Sequence, residues 1–169
     1  MIKKLYNKGI KFEKFILNDE SKHKEIMLKF SDNSSIDEGL KNEIELLNIK
    51  TKILVFGELW CPDCTVNISA LQILSKFNKK IEFRILPRNG FENDIKELTG
   101  LDEVKIPTII VMNNTYKIKG QFIERPQEIL ELENEENQVK RIVNMKEYRN
   151  GLYIGETIKE IIEIIKRDL

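Results

Sequence analysis

The sequence lacks an excess of either charge and has few residues that bind metals or cross-link chains. Its 169 residues carry 28 basic and 28 acidic side chains, a formal net charge of zero. A neutral chain has no overall electrostatic attraction for nucleic acid or an anionic membrane, so we expect neither as a partner. There is one histidine, one tryptophan and a single pair of cysteines.

Long hydrophobic runs are also missing. The runs at residues 53–56 and 109–112 are far shorter than the roughly 20 apolar residues of a membrane-spanning helix. Residues 1–17 interrupt their apolar side chains with charge, unlike a secretory signal. The sequence therefore predicts a cytoplasmic protein without a membrane segment. In that compartment a cysteine pair is typically catalytic or metal-binding.

Length and composition predict a single domain with helical additions at both ends. We expect a helical extension over residues 1–49, a core over 50–126 and a C-terminal helical segment over 127–169. In the extension, Ser35 and Glu38 have the spacing of a capping box at a helix start.

The core begins with a strand, a helix and a second strand. The apolar run at 53–56 is typical of a central strand covered on both faces. Residues 66–77 place apolar side chains at helical spacing, and residues 81–85 alternate apolar with polar. This order predicts two parallel strands with a right-handed crossover.

The rest of the core predicts a helix and a hairpin. The helix covers residues 92–99 and ends at Gly100. Strands over 106–112 and 116–119 are antiparallel and joined by a tight turn at 113–114.

Beyond the core, the acidic run at 128–138 is typical of a solvated face. Thr157 and Glu160 have the spacing of another capping box, and the isoleucines of residues 158–165 form a stripe that predicts core packing.

The two cysteines lie in the sequence WCPDC, residues 60–64. Cys61 follows the predicted central strand and begins the helix, where unpaired N–H groups and the helix dipole favour a thiolate. With Cys61 as N-cap, Pro62 takes the first helical position, where a missing N–H costs nothing. Cys64 is then more buried, and Cys61 is predicted to be the exposed, reactive sulfur.

This arrangement predicts a dithiol reaction in two steps. Cys61 attacks a substrate disulfide, and Cys64 then resolves the mixed disulfide and releases reduced substrate. Trp60 would provide an apolar surface beside the sulfur, although simple packing explains its position equally well.

Two other interpretations of the cysteine pair stay open. A zinc site needs four ligands, and His23 is the only further soft ligand in the chain. The other interpretation is that the cysteines are two small apolar residues at a helix start.

The apolar strand, WCPDC and the pair Ile106-Pro107, 42 residues after Cys64, resemble the thioredoxin-like superfamily over about residues 50–120. The segments GELWCPDC, RILPRN and GQFIERP are similar to a bacterial subgroup with an N-terminal helical extension. The resemblance implies an α/β thioredoxin fold, a central mixed sheet of about four strands flanked by helices.

The resemblance also implies roles for residues. Cys61 becomes the nucleophile, Cys64 the resolving thiol, and Pro107 a cis-proline that faces the dithiol. The backbone of Ile106 would pair with an extended substrate. It implies no bound cofactor besides the Cys61–Cys64 disulfide, protein or small-molecule disulfides as substrates, and an NADPH-dependent thioredoxin reductase as a possible partner.

The chain departs from the family between its cysteines. Thioredoxins have Gly-Pro there, whereas Pro62-Asp63 puts proline first, as in glutaredoxins. The Gly-Gly-containing glutathione-binding segment of glutaredoxins is missing, so glutathione use is not expected. The buried acid of thioredoxins, six residues before the first cysteine, is replaced by Val55. We predict that Glu58 transfers the proton of Cys64 instead, the alternative being a solvent-exposed side chain.

Asp63 should tune the redox chemistry. Its negative charge opposes the Cys61 thiolate, which favours a reductant, and Arg84 and Arg88 would partly offset that charge. We therefore predict a cytoplasmic thiol–disulfide oxidoreductase that reduces protein disulfides. The alternatives are a thioredoxin-fold binding or scaffolding module with little turnover, and a metal or cluster carrier.

Overall fold

A four-stranded mixed sheet forms the centre of the computed structural model, which describes residues 1–17, 22–32 and 36–168. The strands are β1 Thr51–Phe56, β2 Ile81–Leu86, β3 Thr108–Asn113 and β4 Ile118–Ile123. Their order is β2-β1-β3-β4, with β1 and β2 parallel and the other two pairs antiparallel. The predicted βαβ unit and the predicted hairpin are confirmed.

Helices cover both faces of this sheet. In chain order they are α1 Ile2–Lys8, α2 Phe12–Leu17, α3 Lys22–Asp32, α4 Glu38–Leu46, α5 Pro62–Phe77, α6 Glu92–Thr99, α7 Gln127–Glu133, α8 Gln138–Arg149 and α9 Ile154–Lys166. As predicted, α6 ends at Gly100, whose φ of 71° lies in the left-handed region. Within the described ranges, no helix has the length and apolar character to cross a membrane.

Side chains of β1 alternate between two hydrophobic cores. Ile53 and Val55 pack in the core that contains α5, α9 and the apolar faces of α2 to α4. Leu54 and Phe56 pack on the opposite face, with α1 and α6. All four side chains are fully buried, which confirms a strand covered on both faces. The N-terminal segment therefore contributes to both helical layers.

The fourth strand begins two residues later than predicted and is longer. Tyr116 has a φ of 67°, a left-handed conformation that a regular strand excludes. The side-chain oxygen of Asn113 accepts hydrogen bonds from the N–H groups of Thr115 and Lys117, which makes the turn wider than the predicted 113–114. β3 likewise starts at Thr108 rather than at 106.

The predicted capping boxes are not the observed helix starts. The side chain of Asp37 caps α4 by accepting the N–H of Leu40 at 2.9 Å, and Ser35 lies outside the described residues. α9 starts at Ile154, so Thr157 is already helical. Thr157 is fully buried, and its hydroxyl donates a hydrogen bond to the side-chain oxygen of Asn67. The isoleucine stripe of α9 is buried, as predicted.

Candidate active site

Cys61 is the N-cap of α5, as predicted from the sequence. Its backbone is extended, its Sγ accepts the N–H of Cys64 at 3.4 Å, and Pro62 follows at the start of the helix. The thiol is free but only 6% exposed, so the prediction of an exposed sulfur is wrong in degree. One cause is Ile106, whose carbonyl oxygen lies 3.7 Å from the Cys61 Sγ and accepts a hydrogen bond from it.

Cys64 lies one helical turn further in and is fully buried, as predicted. Its Sγ accepts a hydrogen bond from the backbone N–H of Glu58 at 3.5 Å. Gly57 approaches so closely that a Cβ at that position would lie 3.2 Å from the same sulfur. The end of β1 and the start of α5 therefore enclose this thiol.

The two thiols have pKa values displaced in opposite directions. The pKa of Cys61 is lowered, chiefly because the Cys64 thiol donates a hydrogen bond to it; burial and the charge of Asp63 oppose this. The pKa of Cys64 is raised well above its ordinary value, chiefly by burial and then by Cys61. Cys61 is thus the sulfur that ionises first.

Ile106 and Pro107 lie beside the dithiol and are joined by a cis peptide bond, as the resemblance implied. Both residues are buried. Trp60, in contrast, is 59% exposed in the turn that leads into Cys61. The structure therefore brings the Ile106 backbone to the sulfur and leaves a large aromatic surface open next to it.

Glu58 is half-buried at the end of β1. Its carboxylate accepts the N–H of Arg88 at 2.8 Å, while its own N–H is bonded to Cys64. The half-buried side chain therefore has its carboxylate bonded to the backbone of Arg88. Proton transfer by Glu58 stays a prediction.

Asp63 is paired with a cation that the sequence did not indicate. The residue is 6% exposed, and its Oδ2 lies 3.0 Å from Nη2 of Arg125. The ion-pair partner of Asp63 is thus Arg125 and not Arg84 or Arg88, from which the sequence led us to expect a partial offset of its charge. Arg84 acts on the hydroxyl of Tyr6, and Arg88 contacts Glu58 through its backbone.

Arg125 connects Asp63 to two further carboxylates. Its guanidinium also pairs with Glu133 in α7 and lies 3.6 Å from Glu124. Glu133 belongs to the acidic run predicted to be solvated, and for this residue that prediction is wrong. The resemblance had singled out the segment GQFIERP, which contains Arg125, but no hydrophobic periodicity in the sequence indicated that Arg125 contacts Asp63.

Asn67 forms a second buried network that sequence reasoning missed. Its Nδ2 lies 2.8 Å from the carbonyl oxygen of Asp63, 2.9 Å from that of Glu124 and 2.8 Å from the Tyr148 hydroxyl. Its Oδ1 accepts the hydroxyl of Thr157 at 2.7 Å. An amide on a helix of mostly apolar residues was the available signal. The network fixes the first turns of α5 against three other elements.

Among the residues that the structure describes, no group of three or more histidine, cysteine or acidic side chains could hold a metal ion. His23 lies in α3, away from the cysteines in the chain and partly buried.

A CxxC dithiol at the start of the helix after the central strand, beside a cis-proline, defines a protein of the thioredoxin fold. A protein-family model described as Thioredoxin matches residues 9–151, and the chain belongs to this family. The resemblance to the thioredoxin-like superfamily is therefore confirmed.

Two solved structures are similar over almost the whole chain. A protein of unknown function from Pseudomonas aeruginosa is 24% identical, with 96% of this chain and 95% of that chain covered and a TM-score of 0.85. An HIV epitope scaffold is 23% identical, with 99% and 98% covered and a TM-score of 0.87. At these identities the similarity shows the fold alone. Among curated proteins, none matches.

Proposed function

We propose that this protein is a thiol–disulfide oxidoreductase that reduces disulfides through Cys61 and Cys64. The observation that carries the proposal is the placement of two free thiols at one helix start, with Cys61 at the N-cap beside the Ile106 carbonyl and Cys64 fully buried one turn further in. The pKa of Cys61 is lowered and that of Cys64 is raised in keeping with this placement. A nucleophile that ionises early and a partner that keeps its proton suit the two successive attacks of disulfide exchange.

The reaction transfers two electrons from the dithiol to the substrate. The Cys61 thiolate attacks a substrate sulfur, the substrate S–S bond breaks, and the first substrate sulfur leaves as a thiolate. Cys64 then loses its proton and attacks Cys61, and the second substrate sulfur leaves and becomes protonated. The products are a reduced substrate and an oxidised Cys61–Cys64 pair.

Neighbouring residues have roles in this proposal. The Ile106 backbone pairs with an extended substrate segment, Pro107 shapes the surface that faces the dithiol, and exposed Trp60 contacts apolar substrate side chains. Glu58 takes up the proton that Cys64 releases. Protein disulfides are the main substrates, small-molecule disulfides are alternatives, and an NADPH-dependent reductase in the cytoplasm returns the two electrons.

The first test follows turnover and trapping. The purified protein should catalyse insulin reduction by dithiothreitol, and Cys61→Ser should abolish this because no nucleophile remains. Cys64→Ser should accumulate mixed disulfides from a lysate, since the second attack is missing. The Cys61→Ser/Cys64→Ser variant is the matched control and should trap nothing. Absence of both insulin reduction and trapping by folded protein would contradict the proposal.

The second test concerns the direction of electron flow. A reductant should have a reduction potential below the roughly −180 mV of a disulfide isomerase. Equilibration of the dithiol with redox buffers measures this value. A potential at or above that level would overturn the reductase assignment and leave an oxidase or isomerase.

A binding or scaffolding module with little turnover is the second candidate function. The observation that favours it is a group of exposed apolar side chains on α8, Val139, Ile142 and Val143, which are 70%, 62% and 46% exposed. A cleft of about 640 Å³ lies beside Ile142 and Met145. A redox-inactive Cys61→Ser/Cys64→Ser variant that keeps the protein's cellular partners would support this role.

A further inference from the structure

Asp63 and Arg125 form an ion pair directly beside the dithiol. Their side chains are 9% and 15% exposed, and Asp63 lies between the two cysteines in the first turn of α5. In such a buried pair, loss of one partner leaves the other charge poorly solvated. The electric field of this remaining charge then acts on nearby groups, because the protein interior screens it only weakly.

Other charged or titratable groups reach this region from several elements. They are Glu58 before α5, Glu124 after β4, Glu133 in α7, Tyr148 in α8, and Lys105, which pairs with Glu124 at 3.2 Å. Arg125 contacts three carboxylates at once. It is therefore the cation placed to cancel the charge of Asp63.

We propose that Arg125 is a positioning residue that neutralises Asp63, and that the Asp63–Arg125 pair thereby sets the stability of the Cys61 thiolate and the reduction potential of the dithiol. This inference deepens the proposed function and rests on it. Without Arg125, the uncompensated carboxylate destabilises the thiolate and makes the dithiol more reducing. Without Asp63, the remaining charge of Arg125 stabilises the Cys61 thiolate and makes the dithiol more oxidising. Opposite effects of the two changes are the signature of the pair.

The test measures the ionisation of Cys61 without requiring turnover. In a Cys64→Ser background, Cys61 is the one remaining thiol, and its rate of alkylation by iodoacetamide against pH gives its pKa. Arg125→Met should raise the midpoint by about half a unit to one unit and Asp63→Asn should lower it by a similar amount. The Asp63→Asn/Arg125→Met variant should return close to the parent. Arg125→Lys, which keeps the charge, should restore most of the parent value.

A matched control removes a cation at the other end of the same helix. Lys76 pairs with Asp32 at 2.8 Å, and at 1.5 Å per residue it lies about 22 Å along α5 from Cys61. Lys76→Met should leave the midpoint unchanged. Circular dichroism of each variant confirms folding. Asp63→Asn is nearly isosteric, so it still shows the effect of the ion pair on the pKa of Cys61 if Arg125→Met is unstable.

Shifts in the same direction for Asp63→Asn and Arg125→Met, or an unmoved midpoint in both, would overturn the inference. In the two-cysteine protein, the potential should change with the same signs, a tenfold change in the exchange constant being about 30 mV. Because alkylation needs no substrate turnover, a folded protein that neither reduces insulin nor traps mixed disulfides would refute the proposed function and could still show the opposite shifts. An active protein with unmoved midpoints would refute only the role of the pair.

Discussion

Gly57 is the residue that allows β1 to approach the buried thiol. A Cβ here would lie 3.2 Å from the Cys64 Sγ and 3.1 Å from the Cδ1 of Ile68, both fully buried. We expect Gly57→Ala to lower the free energy of unfolding by about 1–3 kcal/mol, because an overpacked core must shift its side chains. It should also slow the second attack, since Cys64 is the displaced group. Urea unfolding measures the first effect, and the lifetime of a mixed disulfide measures the second.

Gly155 provides the control for this substitution. A Cβ there meets Leu40 at 3.6 Å, an ordinary contact, and the residue is helical in α9. Gly155→Ala should therefore be neutral or stabilising by up to about 1 kcal/mol through helix propensity. If Gly57→Ala and Gly155→Ala are equally well tolerated and the lifetime of the mixed disulfide is unchanged, the close packing around Cys64 limits neither the stability of the protein nor the second attack.

At the scale of elements, Asn67 joins α5 to the end of β4, to α8 and to α9. Its amide contacts the Glu124 carbonyl, the Tyr148 hydroxyl and the Thr157 hydroxyl. The side chains of Asn67, Tyr148 and Thr157 are fully buried. We predict that Asn67→Leu, which has similar volume but no polar group, lowers the free energy of unfolding by about 3–5 kcal/mol. The cost comes from several buried groups that lose their partner together.

Thr157→Val is the matched change in the same network. It removes a single hydroxyl with little change in shape, so we expect a loss of about 1–2 kcal/mol. Urea unfolding of both single variants and the double variant gives the coupling between the residues. A cost for Asn67→Leu no larger than that for Thr157→Val would show that the network does not hold these elements together.

For the whole molecule, local patterns predicted the parts of the site that are close in sequence. Cys61 and Pro62 could be placed at the start of α5 because a strand pattern ends and a helical pattern begins there. Arg125 could not be placed, since it contacts Asp63 across 62 residues and a long charged side chain leaves no periodic signal. The bounds of α1, within the predicted helical extension, could not be placed for another reason: its two buried residues, Leu5 and Tyr6, are too few to define a period.

The stability of the whole molecule should fall at alkaline pH through Tyr6. Burial, the largest cause, and the charge of Glu82 raise its pKa from 10.0 to about 12. The folded protein therefore holds the phenolic proton more tightly than the unfolded chain. The resulting stabilisation is fully present below pH 10 and is lost as pH rises through about 12, amounting in total to about 3 kcal/mol.

Tyr6→Phe isolates this contribution because it removes the titrating group and keeps the ring that packs at 5.6 Å from Tyr116. Urea unfolding at pH 8, 10 and 11 should show the wild-type protein losing about 1 kcal/mol more than Tyr6→Phe by pH 11. Titration of the thiols, lysines and other tyrosines occurs in both proteins and cancels in the difference. Parallel losses in the two proteins would mean that the Tyr6 hydroxyl ionises as easily in the folded state as in the unfolded chain, so the α1 layer would have to open to water before the rest of the molecule unfolds.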